Sequence, residues 1–120
     1  MNDIPDKILA KKFEISSDRV DFKERYDLRH LMNDFHDIAG KQATLYGIDS
    51  DIIGEKYNAM WIVTRVRIEF YGSMPRWKDV VSAETYPLLP GIVRMEREAV
   101  FRRAGGEPFA MLGSEWCVLD

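Results

Sequence analysis

Cysteine and histidine are scarce in this sequence, which limits the chemistry that it can support. Cys117 is the only cysteine, and His30 and His36 are the only histidines. A single cysteine excludes an intramolecular disulfide and any metal site built on paired thiolates. The two histidines are six residues apart on a predicted helix, where they face different directions and cannot share a metal. We therefore expect no metal, no cofactor and a reducing compartment, most simply the cytoplasm.

The patterns of several protein classes are also missing. No apolar run is long enough to cross a bilayer, and the first six residues contain two aspartates instead of the apolar core of a secretory signal. The net charge of −3, with most cations next to acids, argues against a nucleic-acid partner. There is no glycine-rich phosphate loop and no G-x-S-x-G motif, because Gly113-Ser114 is followed by Glu115.

A long amphipathic helix is the central feature of what is present. From Leu28 to Tyr46 apolar residues recur every three or four positions, and the opposite side is polar and includes Asp34 and Asp37. Asp27 is a suitable N-cap, and Gly47 can end the helix in the left-handed conformation. We predict one helix of about 28 Å that is buried along one side.

Alternating patterns before and after this helix predict β-strands. The chain has 120 residues, 46% of them hydrophobic, and fits a single domain spanning residues 1–120. A short helical turn capped by Ser50 is expected after the long helix. The predicted strands are Lys11 to Ser17, Met60 to Tyr71, Val80 to Leu88, Ile92 to Arg103 and Phe109 to Leu119. Short connections, with a hairpin turn at residues 104–106, favour an α+β fold with the helix on one face of an antiparallel sheet.

The alternation also predicts which residues share a face. In the longest strand one face holds Ile62, Thr64, Val66, Ile68 and Phe70, and the other holds Trp61, Val63, Arg65, Arg67 and Glu69. In the strand that begins at Ile92, one face holds Val93, Met95, Ala99 and Phe101.

A gap in the bulky face of the helix is the main candidate for a binding site. Glycine inside a helix costs about 1 kcal/mol of helix stability relative to alanine, so we expect the missing side chain of Gly40 to serve a purpose. Together with Ala39 it either permits a tight crossing of helix and strand or leaves room for the chain of a ligand. His36 borders this gap and could face a pocket. Met32 and Phe35, on the same apolar face, complete the predicted substrate-binding set.

The acids of the helix are weaker candidates for chemistry. Asp34 and Asp37 could act as a general base if burial raised a pKa, although acids on a polar helix face are usually solvated. No serine has an adjacent His and Asp that would make it a nucleophile.

Several motifs, taken in order, resemble the first hotdog domain of the acyl-acyl carrier protein thioesterases of plants and bacteria. The segment 35–47, FHDIAGKQATLYG, looks like the long helix of the family. Trp61, Arg65, Ile68 and Glu69 look like its W-x-x-x-R-x-x-I-E strand. Three further matches are P-x-W-x-D-x-V at residues 75–81, E-T at 84–85 and S-x-W at 114–116. The resemblance implies a hotdog fold, an antiparallel sheet wrapped around one long central helix, and a fatty acyl thioester substrate.

The chain departs from this family in two ways. His36 stands where family members have Gln, and Gln42 stands where they have His. Family enzymes also contain two hotdog domains, with the catalytic acid, Asn and His in the second. Many single-domain hotdog thioesterases instead carry Asp-x-x-Gly-His-x-Asn before the helix. In this chain only Asp21 of that motif remains, since Arg25 and Asp27 replace its His and Asn.

Three hypotheses follow from the resemblance. The chain could be the acyl-binding half of a thioesterase acting on acyl carrier protein, with catalytic residues outside it. It could be a homodimeric hydrolase of acyl-carrier or acyl-CoA thioesters that uses an unusual acid, Asp21, Asp37 or Glu24. It could also be a non-catalytic acyl-binding or dimerisation module. In each case an exposed edge strand favours pairing with a second hotdog, most simply another copy of the chain.

Overall fold

The computed structural model describes residues 7–88 and 94–119, and the predicted order of elements is confirmed there. The helices are α1 (Leu28–Leu45) and α2 (Ser50–Tyr57), with a 3-10 turn at Ser17–Arg19. The strands are β1 (Leu9–Glu14), β2 (Met60–Phe70), β3 (Val80–Pro87), β4 (Met95–Arg103) and β5 (Pro108–Leu119). The predicted positions of Ile92 and Val93 lie outside the described residues.

Both ends of α1 are fixed by the residues that the sequence indicated. The side chain of Asp27 accepts a hydrogen bond from the backbone N–H of Arg29, at 2.7 Å. At the other end Gly47 has φ of +75°, which an L side chain rarely adopts. For α2, however, the predicted cap was wrong. Asp49, one residue before Ser50, accepts from the N–H of Ile52 at 2.9 Å.

The five strands form one antiparallel sheet in the order β1-β3-β4-β5-β2, and α1 packs across one face of it. The core lies between helix and sheet. The helix contributes Leu31, Phe35, Ile38 and Ala39, and the sheet contributes Val81, Ala83, Ala99, Phe101, Phe109, Ala110 and Leu112. A single long helix against an antiparallel sheet is the predicted hotdog arrangement, and the fold prediction is confirmed.

A β-bulge at Thr64 overturns the predicted faces of β2. Val63 pairs with Trp116 while Arg65 pairs with Glu115, so Thr64 is an extra residue between them. The bulge moves Trp61 and Val63 to the face that Val66 occupies further along the strand, the face that packs on the core. A strict period of two cannot reveal such an insertion.

One residue that was assigned to the polar side of α1, Asp34, was predicted incorrectly. Asp34 is only 5% exposed, and Gln42, further along the helix, is also buried. Asp34 accepts a hydrogen bond from the Tyr26 hydroxyl, and two guanidinium nitrogens of Arg19 lie 3.3 Å from its oxygens. Burial, and then this hydrogen bond, raise the pKa of Tyr26. The cluster of Tyr26, Asp34 and Arg19 therefore ties the segment before α1 to the helix.

Neither described helix combines the length and the apolar character needed to cross a membrane.

Candidate functional site

A cavity of about 220 Å³ lies between the second half of α1 and the sheet, and we call it the α1 pocket. The helix side of the α1 pocket is formed by His36, Ala39, Gly40 and Ala43. The sheet side is formed by Trp61, Pro87, Met95, Glu96, Arg97 and Trp116, and the start of α2 adds residues 48–50. Small residues on the helix and aromatic residues on the sheet give this pocket a mainly apolar lining.

Gly40 opens the pocket on the helix side. A Cβ atom built on Gly40 would have no heavy atom of its surroundings within 4 Å. A tight crossing of helix and strand is therefore the wrong explanation for this glycine, since nothing approaches it closely. The missing side chain instead leaves open space on a surface that lines the pocket.

Trp61 lines the pocket because of the bulge in β2. Its indole N–H donates to the backbone carbonyl of Ile48, at 2.7 Å, and so joins the strand to the turn after α1. His36 also lines the pocket, with its ring 5.7 Å from that of Trp116 in an edge-to-face arrangement. The aromatic rings thus form a wall that a hydrocarbon chain could contact.

The predicted substrate-binding residues divide into two groups. His36, Ala39 and Gly40 line the pocket. Met32 and Phe35 do not, because Phe35 is fully buried in the core and Met32 packs against it. One turn of helix therefore separates residues that face the pocket from residues that fill the core.

Arg97 is a pocket residue that the sequence analysis missed. It lies on β4 at an inward position and is only 9% exposed. Its Nη1 donates to Oε1 of Gln42 and, at 3.1 Å, to the hydroxyl of Thr85. Burial lowers the pKa of Arg97. The alternation of inward and outward residues along the strand was the available signal, since position 97 falls between the predicted inward residues Met95 and Ala99.

The three candidate catalytic acids lie outside the α1 pocket. Asp21 accepts from the backbone N–H groups of Lys23 and Arg25, at 2.8 and 3.1 Å, and these bonds hold its pKa below the usual value. Glu24 is exposed and lies 3.5 Å from Arg76. Asp37 pairs with Lys41 at 3.0 Å, which lowers its pKa. Each acid has a local partner, and a catalytic role for any of them stays a prediction.

Other polar groups at the pocket are already engaged in local hydrogen bonds. The carboxylate of Asp49 caps α2 and accepts from Thr44 at 2.7 Å. Ser114 lies on β5 near the pocket, where its hydroxyl donates to the carbonyl of Arg97 and accepts from the indole of Trp116, each at 2.9 Å. Within residues 7–88 and 94–119 there is no cluster of His, Cys, Asp and Glu that could hold a metal.

Solved structures with the same fold are numerous. The chain superimposes on an acyl-ACP thioesterase from Bacteroides thetaiotaomicron with a TM-score of 0.88 and 24% identity, covering 95% of this chain and 46% of that one. The 12:0-ACP thioesterase of Umbellularia californica gives a TM-score of 0.83 at 23% identity, with 93% and 42% coverage. A probable thioesterase from Bartonella henselae gives 0.82 at 9% identity, with 94% and 92% coverage. These likenesses show the fold, and the chain spans less than half the length of the first two proteins.

Comparison with curated proteins finds no match. The model of one protein family, by contrast, matches almost the whole chain, from residue 6 to residue 120. That family is described as the acyl-ACP thioesterase N-terminal domain. The match agrees with the hotdog fold and with the motifs on α1 and the strands, and the chain therefore belongs to the acyl-ACP thioesterase N-terminal domain family.

Proposed function

We propose that this chain is the acyl-binding hotdog half of a cytoplasmic thioesterase of fatty acid biosynthesis. Its substrate would be a fatty acyl thioester of acyl carrier protein or coenzyme A. The single observation that carries the proposal is the α1 pocket, opened at Gly40 and lined by apolar groups, in a chain of this family.

The pocket has the size and lining that a hydrocarbon chain requires. Its volume is about 220 Å³, and its lining is mainly apolar. Each methylene that leaves water for an apolar wall contributes about 0.8 kcal/mol. Ala39, Gly40 and Ala43 provide room on the helix, and Trp61 and Trp116 provide contact area on the sheet. Several buried methylenes would therefore give measurable affinity.

Hydrolysis needs a group that activates water for attack on the thioester carbonyl, with the carrier thiol leaving. Among the described pocket residues no hydroxyl is hydrogen-bonded to a histidine, and the side chains of Asp49 and of the neighbouring Ser114 are already engaged. We propose that this group comes from a second hotdog domain paired with this one. The sheet leaves β1 and β2 as edge strands, and exposed edges are usually paired or covered.

Filling the pocket at Gly40 tests the acyl-binding role. Gly40→Leu places a side chain in the open space while improving helix propensity by up to about 1 kcal/mol. We expect binding of a non-hydrolysable octanoyl-pantetheine analogue to weaken at least tenfold, with no loss of thermal stability. Asn33→Leu adds the same side chain to an exposed position of α1 and should leave binding unchanged. Equal binding by wild type and Gly40→Leu would contradict the role of the pocket.

Turnover and mass separate the remaining alternatives. Hydrolysis of octanoyl-coenzyme A by the chain alone would favour a homodimeric enzyme that uses Asp21, Asp37 or Glu24. Binding without hydrolysis, with activity regained when a second hotdog domain is supplied, supports the proposal. Binding without activity in either case favours a non-catalytic acyl-binding module. Light scattering that gave a 14.0 kDa monomer at micromolar concentration would count against self-pairing.

A further inference from the structure

The arginine in the α1 pocket uses only one of its three guanidinium nitrogens for hydrogen bonds within the described residues. Nη1 donates to Gln42 and to Thr85. Nε and Nη2 make no hydrogen bond there, yet they are not enclosed. Among the described residues the only fully enclosed side-chain polar atom without a partner is Nδ1 of His30. The two other nitrogens of Arg97 therefore keep some exposure, and Arg97 lines the α1 pocket.

These two nitrogens form the edge of the guanidinium that suits a carboxylate. Nε and Nη2 carry parallel N–H groups, and a carboxylate accepts both through its two oxygens. The groups that accept hydrogen bonds from Arg97, the amide oxygen of Gln42 and the hydroxyl of Thr85, are uncharged. The Tyr46 phenol is also close enough to act on the pKa of Arg97, in the direction opposite to burial. No carboxylate of the described residues forms an ion pair with its guanidinium. A buried cation is stabilised by an anion, and Arg97 has neutral partners and two N–H groups, on Nε and Nη2, that could donate to one.

We propose that Arg97 is a subsite for a carboxylate carried by the ligand of the α1 pocket. This inference rests on the proposed acyl-binding function and narrows its substrate class. The carboxylate has two possible sources, the distal end of a dicarboxylic acyl chain and the head of the released fatty acid. Gln42 and Thr85 hold Nη1, so the orientation of the free edge is fixed before a ligand arrives.

Two ligand pairs measured by calorimetry test the subsite and separate the sources. The first pair is the octanoyl and 7-carboxyheptanoyl amide analogues of acyl-pantetheine, which differ at the distal end. The second pair is octanoate and 1-octanol. Each is titrated into wild type, Arg97→Met and Arg97→Lys. Arg102→Met is the matched control, because Arg102 is on the same strand but pairs with Glu84 at 2.9 Å and does not line the pocket.

We expect wild type to bind the carboxylate-bearing member of one pair about tenfold more tightly or better. Arg97→Met should abolish this preference, Arg97→Lys should retain part of it, and Arg102→Met should keep it in full. A preference within the first pair identifies the distal carboxylate as the source, and a preference within the second identifies the product.

The results that contradict the proposal are separate from those that contradict acyl binding. Equal affinity of wild type for both members of both pairs overturns the subsite, whether or not the variants fold. A preference that survives in folded Arg97→Met also overturns it. If no probe binds wild type, the proposed acyl-binding function fails, and the subsite fails with it.

Discussion

Two buried charged side chains contact α1 at points about two turns apart, and only one of them is paired with an opposite charge. Asp34, in the first half of the helix, receives a hydroxyl donor from Tyr26 and a two-pronged guanidinium from Arg19. Arg97, next to Gln42 in the second half, has only uncharged hydrogen-bond partners among the residues that the structure describes. The first cluster contains its own counter-charge, whereas the second has none within residues 7–88 and 94–119.

This difference separates a structural charge from one that is available to a ligand. The surroundings of Asp34 are filled by core side chains, so its partners must come from the protein. Arg97 borders the α1 pocket, where space and apolar walls remain for a bound molecule. Removing the first charge should therefore cost folding, whereas removing the second should cost binding.

The largest effect on stability is expected from Asp34→Ala. This change leaves the Tyr26 hydroxyl and the Arg19 guanidinium without their buried acceptor, and breaking such a pair costs about 3 kcal/mol. Urea denaturation should show this loss in the free energy of unfolding. Asn33→Ala, at the exposed neighbouring position, should change it by less than about 0.5 kcal/mol. A loss below about 1 kcal/mol for Asp34→Ala would remove the contrast between the two charges.

Tyr26→Phe should cost about 2 kcal/mol at pH 7, because Asp34 then lacks one donor. It should also change the dependence of stability on pH. The pKa of Tyr26 is raised in the folded protein above the usual tyrosine value of about 10, so folding favours the protonated hydroxyl. The stability that this group contributes is complete below pH 10 and is lost as the pH rises further.

Unfolding measured between pH 8 and pH 11 checks this sign. Wild type should lose stability above pH 10 more steeply than Tyr26→Phe, by up to about 1.4 kcal/mol per pH unit. Parallel curves for the two proteins would show that the Tyr26 hydroxyl does not carry the effect.

Arg97→Met should change the free energy of unfolding by only about 1 kcal/mol or less, in either direction. Methionine has a similar length and removes the cost of burying a charge, while Gln42 loses one donor. Gln42 keeps its hydrogen bond to the carbonyl of Lys7, at 2.9 Å. The measurement is a urea titration without ligand. A loss as large as that of Asp34→Ala would mean that Arg97 is structural, and the proposed difference between the two buried charges would be wrong.

Local signals explain why so much of the fold could be predicted from the sequence. The Asp27 cap, the end of α1 at Gly47 and the turn at residues 104–106 each depend on a few neighbouring residues, and each was confirmed. The alternating patterns placed the strands in order. These features need no knowledge of what packs against them.

The errors occurred where tertiary contacts override local chemistry. Position 34 repeats with Leu31, Phe35 and Ile38 on the buried face, but aspartate was assigned to solvent because it is charged. The hydrogen bond from Tyr26 and the ion pair with Arg19 offset the cost of burying this carboxylate. Arg97 was overlooked for the same reason, although the alternation of β4 placed it inward. The bulge at Thr64 depends on pairing with β5, so it has no signature within β2 alone.

The smallest effect is expected from Asp37→Asn, which removes an exposed charge for comparison with the two buried ones. Asp37 is half exposed and pairs with Lys41 at 3.0 Å and Lys11 at 3.6 Å. The hydrogen bond from Lys41 lowers its pKa below 3.8, so its contribution is present above that pH and is lost as the pH falls through the lowered value. At pH 7 and low salt the change should cost about 0.5 kcal/mol or less, and the difference from wild type should shrink in 1 M NaCl, where the Debye length is about 3 Å. A cost of more than about 1 kcal/mol that persists in salt would show that exposure does not separate weak from strong charge pairs in this domain.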